Sequence, residues 1–351
     1  MGYKINCRFF RGDIPCAPHK KEGVHCAGCR FYQPISKEIL IIKLGAAGDV
    51  IRTTPLLHRL RKVYPKARIT WLTEFPDLVP RAFVDKIVDF RSPDTFFLLA
   101  AEFDLVYSLD KDYSATSLAA LVKAKSKKGY ILSKNHPAPI DRDAEHKYFT
   151  GIFDDICLKN RKHYVEEIFE ICGFNFNREK YILELASQRP ALPAFTKPVV
   201  GLNTGCGSRW QTRLWPEESW VKLAVLLKKK GYTPLLLGGP QEDQLNRRIA
   251  KKSGAQYLGT FKLNDFIHEV NLCDLVITQV TMGLHIAIGL NKKIILMNNI
   301  FNRYEFYLYG LGKIVEPPKK CLGCYKNSCP DECMSLISPE QISRMAAAAL
   351  K

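Results

Sequence analysis

The sequence predicts an α/β fold made of two parallel sheets in succession, each covered by helices on both faces. Three observations lead there. Short apolar runs alternate with amphipathic helical patterns, and this grammar runs through the chain twice. A proline-rich stretch of weak periodicity, residues 186–198, separates the two series. The chain's 351 residues are enough for two domains with cores of their own.

The first series opens with "EILIIKL" and continues with "ARITWLT", "KIVDF" and "FDLVYSL", each short and apolar enough for a buried strand. Between the first two lies "PLLHRLRKVYP", which brings Leu57, Leu60 and Tyr64 to one helical face. Residues 146–174 are amphipathic and close this half. The second series starts at "VVGLNTG", a strand and turn, followed by the helix "PEESWVKLAVLLKKKG" ending at Gly231. Strand "TPLLLGG", helix "EDQLNRRIAKKSG", strand "DLVITQ", helix "GLHIAIGL" and strand "KKIILMNN" complete it. The expected division is a Cys-rich segment 1–35, domains 36–190 and 191–318, and a Cys cluster with terminal helix, 319–351. Two such domains on one linker should face each other across a cleft, with ligands at the carboxyl ends of strands.

The first strand leads into Gly45-Ala46-Ala47-Gly48 and then Asp49. A dinucleotide site would read G-x-G-x-x-G with an acid about 20 residues on, and a triphosphate site would follow the loop with Gly-Lys-Ser/Thr. Neither pattern is present. The loop ends in a carboxylate, which on residue chemistry alone is either a functional acid or a cap on the next helix.

Composition narrows the partners. An apolar fraction of 46% is that of a globular chain. No run reaches the about 18 apolar residues of a membrane span. The opening "MGYKINCRFFRGD" lacks a signal-peptide core, so a cytoplasmic location is expected. The formal charge of +17 favours an acidic partner: nucleic acid, anionic lipid or phosphorylated glycan. There is neither a repeat of fixed period nor a low-complexity tract.

Eight of the 12 cysteines cluster: Cys7, Cys16, Cys26 and Cys29 at the start, and Cys321, Cys324, Cys329 and Cys333 near the end. In a reducing compartment such clusters hold metal more often than disulfides. The C-x2-C-x4-C-x3-C spacing near the end places four thiolates within reach of one tetrahedral ion at about 2.3 Å. Softness suits zinc and iron alike. The first cluster has one tight C-x2-C pair, with His19 and His25 as alternative ligands, and Arg8, Arg11, Lys20 and Lys21 to offset thiolate charge. These ions are expected to be structural, since four thiolates leave no open position.

Three segments together, "ILIIKLGAAGDVIRTTPLLHRLRKVYPKARITWLT", "RLWPEESWVKLAVLLKKKGYTPLLLGGPQE" and "DLVITQVTMGLHIAIGLNKKIIL", resemble glycosyltransferase family 9, the ADP-heptose-using heptosyltransferases and their relatives. The resemblance covers residues 39 to 312 and implies the GT-B fold, with two Rossmann-like domains, acceptor-binding first and donor-binding second. It implies that Asp49 is the base that deprotonates the acceptor hydroxyl in an inverting transfer, a step that needs no covalent intermediate and no metal. It also implies that Thr204 and Gly205 face the donor diphosphate and that Arg213 stabilises the leaving group. Glu242 then contacts the nucleoside, and Thr281 and His285 belong to a third motif. Read singly, Arg213 is also a solvated arginine, Glu242 a first-turn helix acid and His285 a core histidine.

That third motif departs from the family pattern Asp-Ser/Thr-Gly-x-x-His. Here it reads Val280-Thr281-Met282-Gly283-Leu284-His285, so the acid that helps hold the donor sugar is absent. "NNIFNRYEFYLYGLG" followed by "CLGCYKNSCPDECM" resembles the cysteine-bearing autotransporter heptosyltransferases, which glycosylate protein and hold iron on cysteines. The expected activity is transfer of a heptose or related sugar from ADP-heptose or a similar nucleoside-diphosphate sugar. The acceptor is an anionic glycolipid, such as a lipopolysaccharide core, or a protein hydroxyl, with peripheral association at the inner membrane face. Two readings compete: a catalytically inactive sugar-nucleotide-binding protein, favoured by Val280 and Met282, and a metal-containing nucleic-acid-binding protein. The spread of the basic residues along the chain disfavours nucleic acid.

Overall fold

The computed structural model describes residues 2–188, 190–207 and 210–351. Arg189, within the stretch read as a linker, lies outside them. The chain divides into two compact units, one of Met1–Gly45, Leu56–Glu145 and Phe169–Phe174, the other of Ala46–Pro55, His146–Ile168 and Asn175–Lys351.

Helix α1 (Ala17–Glu22) precedes β1 (Lys37–Ile42), after which the chain forms α2 (Ala47–Thr53) and α3 (Leu56–Val63). The first sheet continues with β2 (Ala67–Thr73), β3 (Lys86–Asp89), α4 (Thr95–Ala100), β4 (Glu102–Ser108), α5 (Tyr113–Leu121), β5 (Lys123–Ser133) and β6 (His136–Pro139). Its strand order is β3-β2-β1-β4-β5-β6, parallel except for the last pair. Central β1 is buried from Ile39 to Ile42, as a parallel strand covered on both faces must be. Leu40, Ile42, Leu72, Val88 and Val106 pack with Ala115 and Ala119 of α5.

The strand order reverses between β1 and β4, and just past their carboxyl ends Lys43 and Asp110 form a buried ion pair. Asp110 also accepts the Leu44 amide at 2.6 Å, and Lys43 donates to the Gly45 carbonyl at 2.7 Å. Strand β5, "KAKSKKGYILS", carries no strand-like apolar pattern. It forms because it pairs with β4 from Lys123 to Gly129, while Lys125 meets Asp104 at 2.7 Å and Lys128 meets Asp141 at 2.9 Å. Ladder bonding and charge pairing outweigh residue preference there.

The amphipathic stretch 146–174 is not one element. It holds the end of α6 (Arg142–Phe149), then α7 (Asp154–Lys159) and α8 (Tyr164–Ile171), and its residues 146–168 count with the second unit. The second sheet is built from β7 (Val199–Asn203), α9 (Glu217–Lys229), β8 (Thr233–Leu237), α10 (Asp243–Ser253), β9 (Gln256–Tyr257) and α11 (Leu263–Asn271). It is completed by β10 (Leu275–Gln279), α12 (Met282–Gly289), β11 (Lys293–Met297), β12 (Gly312–Val315) and the terminal α13 (Pro339–Leu350). The order is β12-β11-β10-β7-β8-β9, parallel throughout. Helix α13 starts where Ser338 Oγ accepts the Gln341 amide at 3.1 Å. Its Ile342 and Ala346 join the core around Trp215 and Trp220, whose rings meet edge-on at 4.9 Å.

Asp110→Ala strips the buried Lys43 ammonium of its carboxylate and the Leu44 amide of its acceptor. Removing one partner of a buried pair costs about 3–5 kcal/mol, so the denaturation midpoint should fall accordingly. A midpoint unchanged within error would mean that Lys43 is solvated in the native protein.

Candidate active site

The second sheet reverses its order between β7 and β10, the point where parallel α/β sheets place ligands. Asn203 ends β7 there. Its Nδ2 donates to Thr278 Oγ1 at 2.8 Å and to Thr281 Oγ1 at 2.9 Å, tying the ends of β7 and β10 to the start of α12. Thr204 is fully buried and donates to Asn246 Oδ1 on α10 at 2.6 Å. Gly205 follows, and a Cβ on it would overlap the Glu242 carboxyl group. Glu242 in turn accepts the Gly239 amide at 2.9 Å. Thr204, Gly205, Glu242 and Thr281 therefore all lie at strand ends around this reversal.

Arg213 is not a solvated arginine: it is 7% exposed. Its guanidinium donates to the carbonyls of Trp210 at 3.2 Å and Cys206 at 2.5 Å, and to that of Val280. Burial lowers its pKa, with the neighbouring Cys206 opposing. It braces Cys206 and Trp210 against the turn before α12. The bond to Val280 is to its carbonyl, so this brace does not depend on which side chain stands at the position where the family has an acid.

His285 is 5% exposed and packs against Gly48 at the start of α2. A Cβ at residue 48 would lie 2.6 Å from His285 Cδ2, and α2 packs on α12 through this approach. The imidazole Nδ1 is 3.4 Å from the Tyr181 hydroxyl. Burial, and then the Arg52 charge, push the His285 pKa down to about 3 against the opposing pull of Asp49, so the ring is neutral. Asp49 sits one residue on, with its side chain 30% exposed, and Arg52 Nε donates to its Oδ1 at 2.8 Å. Arg52 stacks on Tyr164, its guanidinium carbon 3.4 Å from the ring centroid. Burial opposes its charge, but Asp49, Tyr164 and Glu305 outweigh this and raise its pKa. The result is a partly exposed carboxylate of fixed orientation beside α12, suited to accept a proton.

Sequence reasoning missed Arg52, Asn203 and Gln279. Arg52, at i+3 from Asp49, looks like any solvent-facing helix residue. Gln279 ends β10 fully buried, and its amide has no partner among the described residues. Nothing in the sequence separates it from an ordinary strand end.

The thiols do not form a ready-made metal centre. Among the described residues no three Cys, His, Asp or Glu side chains stand close enough to share an ion, and the cysteines are free. In the C-terminal cluster Cys321 is exposed, while Cys324, Cys329 and Cys333 are half-buried. Cys333 Sγ accepts Asn299 Nδ2 at 3.2 Å.

Gly48→Ala should cost about 1–3 kcal/mol through overpacking, and much less in a His285→Ala background, where the ring is gone. Equal costs in the two backgrounds, measured by chemical denaturation, would contradict the contact. His285 also gives a pH signature. Its folded pKa lies below its ordinary 6.5, so the unfolded chain binds the extra proton between these values. Its contribution to stability is complete above 6.5 and is lost as pH falls towards about 3.

The sequence profile for glycosyltransferase family 9 (heptosyltransferase) matches residues 97–298, more than half of the chain. A sequence search of curated proteins gives no match. Among solved structures, a family 9 glycosyl transferase from Veillonella parvula superposes with a TM-score of 0.67 at 19% identity, over 90% of this chain and 97% of that one. Escherichia coli heptosyltransferase WaaC, solved with ADP, gives 0.61 at 16% identity, over 89% and 99%. The iron-containing dodecameric glycosyltransferase TibC from enterotoxigenic E. coli gives 0.56 at 15%, over 90% and 76%. These likenesses establish the fold, two parallel-sheet units as the alternation of strands and helices predicts, and of the GT-B kind as the resemblance implies. With the profile covering more than half of the chain, the chain belongs to glycosyltransferase family 9, the heptosyltransferases, and is a glycosyltransferase.

Proposed function

We propose that this enzyme transfers a heptose or closely related sugar from ADP-heptose, or a similar nucleoside-diphosphate sugar, to a hydroxyl acceptor with inversion at the anomeric carbon. The observation that carries this reading is the packing of α2 on α12, which brings Gly48, the residue before Asp49, against His285 of the third motif. Asp49 takes the acceptor proton as the acceptor oxygen bonds to the anomeric carbon and the bond from that carbon to the diphosphate breaks. Arg52 keeps the carboxylate oriented.

The donor lies across the β7–β10 reversal. The Gly205 amide and the first-turn amides of α12 meet the diphosphate, since N–H groups at a helix start suit phosphate oxygens, while Thr204, its amide on the Leu237 carbonyl and its hydroxyl on Asn246, holds the turn. Thr281 contributes its hydroxyl and Glu242 meets the nucleoside. Arg213 contributes its positive charge from beneath the turn while bracing it. Neutral His285 supports Gly48, a role that its burial favours over direct contact with phosphate. Transfer in this scheme uses no metal.

Cys321, Cys324, Cys329 and Cys333 are assigned one structural zinc or iron ion, because four thiols suit a thiophilic ion. TibC, iron-containing, supports the assignment by likeness. Binding would draw the four sulfurs together. The acceptor is an anionic glycolipid or a protein hydroxyl. The charge of +17 suits an anionic acceptor or peripheral contact with the inner membrane face from the cytoplasm. Among the described residues no helix is long and apolar enough to cross a membrane.

Asp49→Asn keeps shape and removes basicity. A well-placed general base contributes about 10²–10⁴ in rate, so turnover of the sugar nucleotide should fall by that order while calorimetric donor affinity persists. Turnover within about threefold of the parent would leave Asp49 only its ion pair with Arg52 in the first turn of α2.

A further inference from the structure

The first 35 residues take no part in the chemistry above, yet they adopt a defined fold that their apolar content does not explain. Their one helix, α1, buries no residue. Cys7 is the only buried apolar side chain among the described residues of this segment, while Tyr3, Ile5 and Ile14 are exposed. Segments below about 40 residues need a disulfide, a metal or a partner to hold a fold, and the cysteines are free.

We propose that Cys7, Cys16, Cys26 and Cys29 together bind one thiophilic metal ion, zinc or iron, that organises this segment. The four are spread over residues 7–29 but border a single small cavity, together with Phe9, Phe31 and His25. Its volume is about 30 Å³. One water needs about 10–15 Å³ by the same measure, so the space has room for one ion.

The backbone is already folded around the thiols. Phe10 donates to the Cys7 carbonyl at 3.0 Å, Cys29 to that of Cys26 at 3.4 Å and Tyr32 to that of Cys29 at 3.2 Å. Cys7 also pairs with Pro34, closing the segment on itself. No three of the side chains stand at coordination distance yet, so the ion draws the sulfurs inward by side-chain rotation. Each thiol loses its proton as its sulfur bonds to the ion, which makes binding weaker at low pH. His19 borders the neighbouring larger cavity, and with its Nδ1 engaged with the Val24 carbonyl at 2.9 Å its Nε2 is the nitrogen left to act as a donor. His25 borders both cavities and is a further competing donor.

The test uses the full chain purified without added metal. Elemental analysis should show one zinc or iron equivalent lost in Cys26→Ser/Cys29→Ser, and that equivalent retained in Cys321→Ser/Cys324→Ser and in His25→Ala. Which element is lost identifies the ion, and acid-labile sulfide lost with it would overturn the single-ion assignment. Should the serine variant fail to fold, alkylation of the parent decides: Cys7, Cys16, Cys26 and Cys29 should react at least tenfold faster after a chelator strips the metal. Equal alkylation with and without chelator, or a folded serine variant that keeps all its metal, would refute the site. Either result leaves the transfer reading standing, because that reading involves none of these residues.

Discussion

A glycine and a buried histidine set the geometry on which the proposed chemistry rests. Gly48 has no room for even one carbon, because the ring of His285 fills the place a Cβ would take. This close approach lets α2 lie against α12, so the residue after the glycine, Asp49, comes within electrostatic reach of His285. The same burial keeps His285 neutral. A charged imidazole there would face Arg52 and pay a desolvation cost as well, so packing and electrostatics favour the same state.

Around the reversal of the second sheet the polar groups are mutually satisfied. Asn203, Thr278 and Thr281 share hydrogen bonds, Thr204 reaches Asn246, and Arg213 spends its donors on three backbone carbonyls. Such a network holds loops in one arrangement before a ligand arrives, which is how electrostatic stabilisation avoids reorganisation during reaction. The bond from Arg213 to position 280 goes to the backbone carbonyl and so does not depend on the side chain there. Gln279 stands apart, a fully buried amide without a partner among the described residues, at the end of β10. It is the group there whose hydrogen-bonding capacity the described residues leave unmet.

How much of this was legible depended on the physics behind each element. The buried strands of both sheets are continuous apolar runs, such as Ile39 to Ile42, because both faces are covered, and such runs are readable. Strand β5 is lysine-rich and exists through its pairing with β4, and β9 and β12 are too short to carry a pattern. Asp49 stood out because a carboxylate ends a small-residue loop, and the family resemblance gave it a role. Arg52 did not, since only the fold reveals that Tyr164 and Asp49 enclose it. The N-terminal cysteines read as a loose group, with one tight pair; their shared cavity is a product of turns at Cys7, Cys26 and Cys29.

The central claim is a single displacement from a nucleoside-diphosphate sugar. The most direct measurement is the anomeric configuration of the transferred sugar, read by NMR from a reaction of the purified enzyme with ADP-heptose and a heptose-accepting glycan or peptide. The account predicts one ADP released per sugar transferred, with the configuration opposite to that of the donor. A product that retains the donor configuration, or no turnover with any nucleoside-diphosphate sugar, would contradict it.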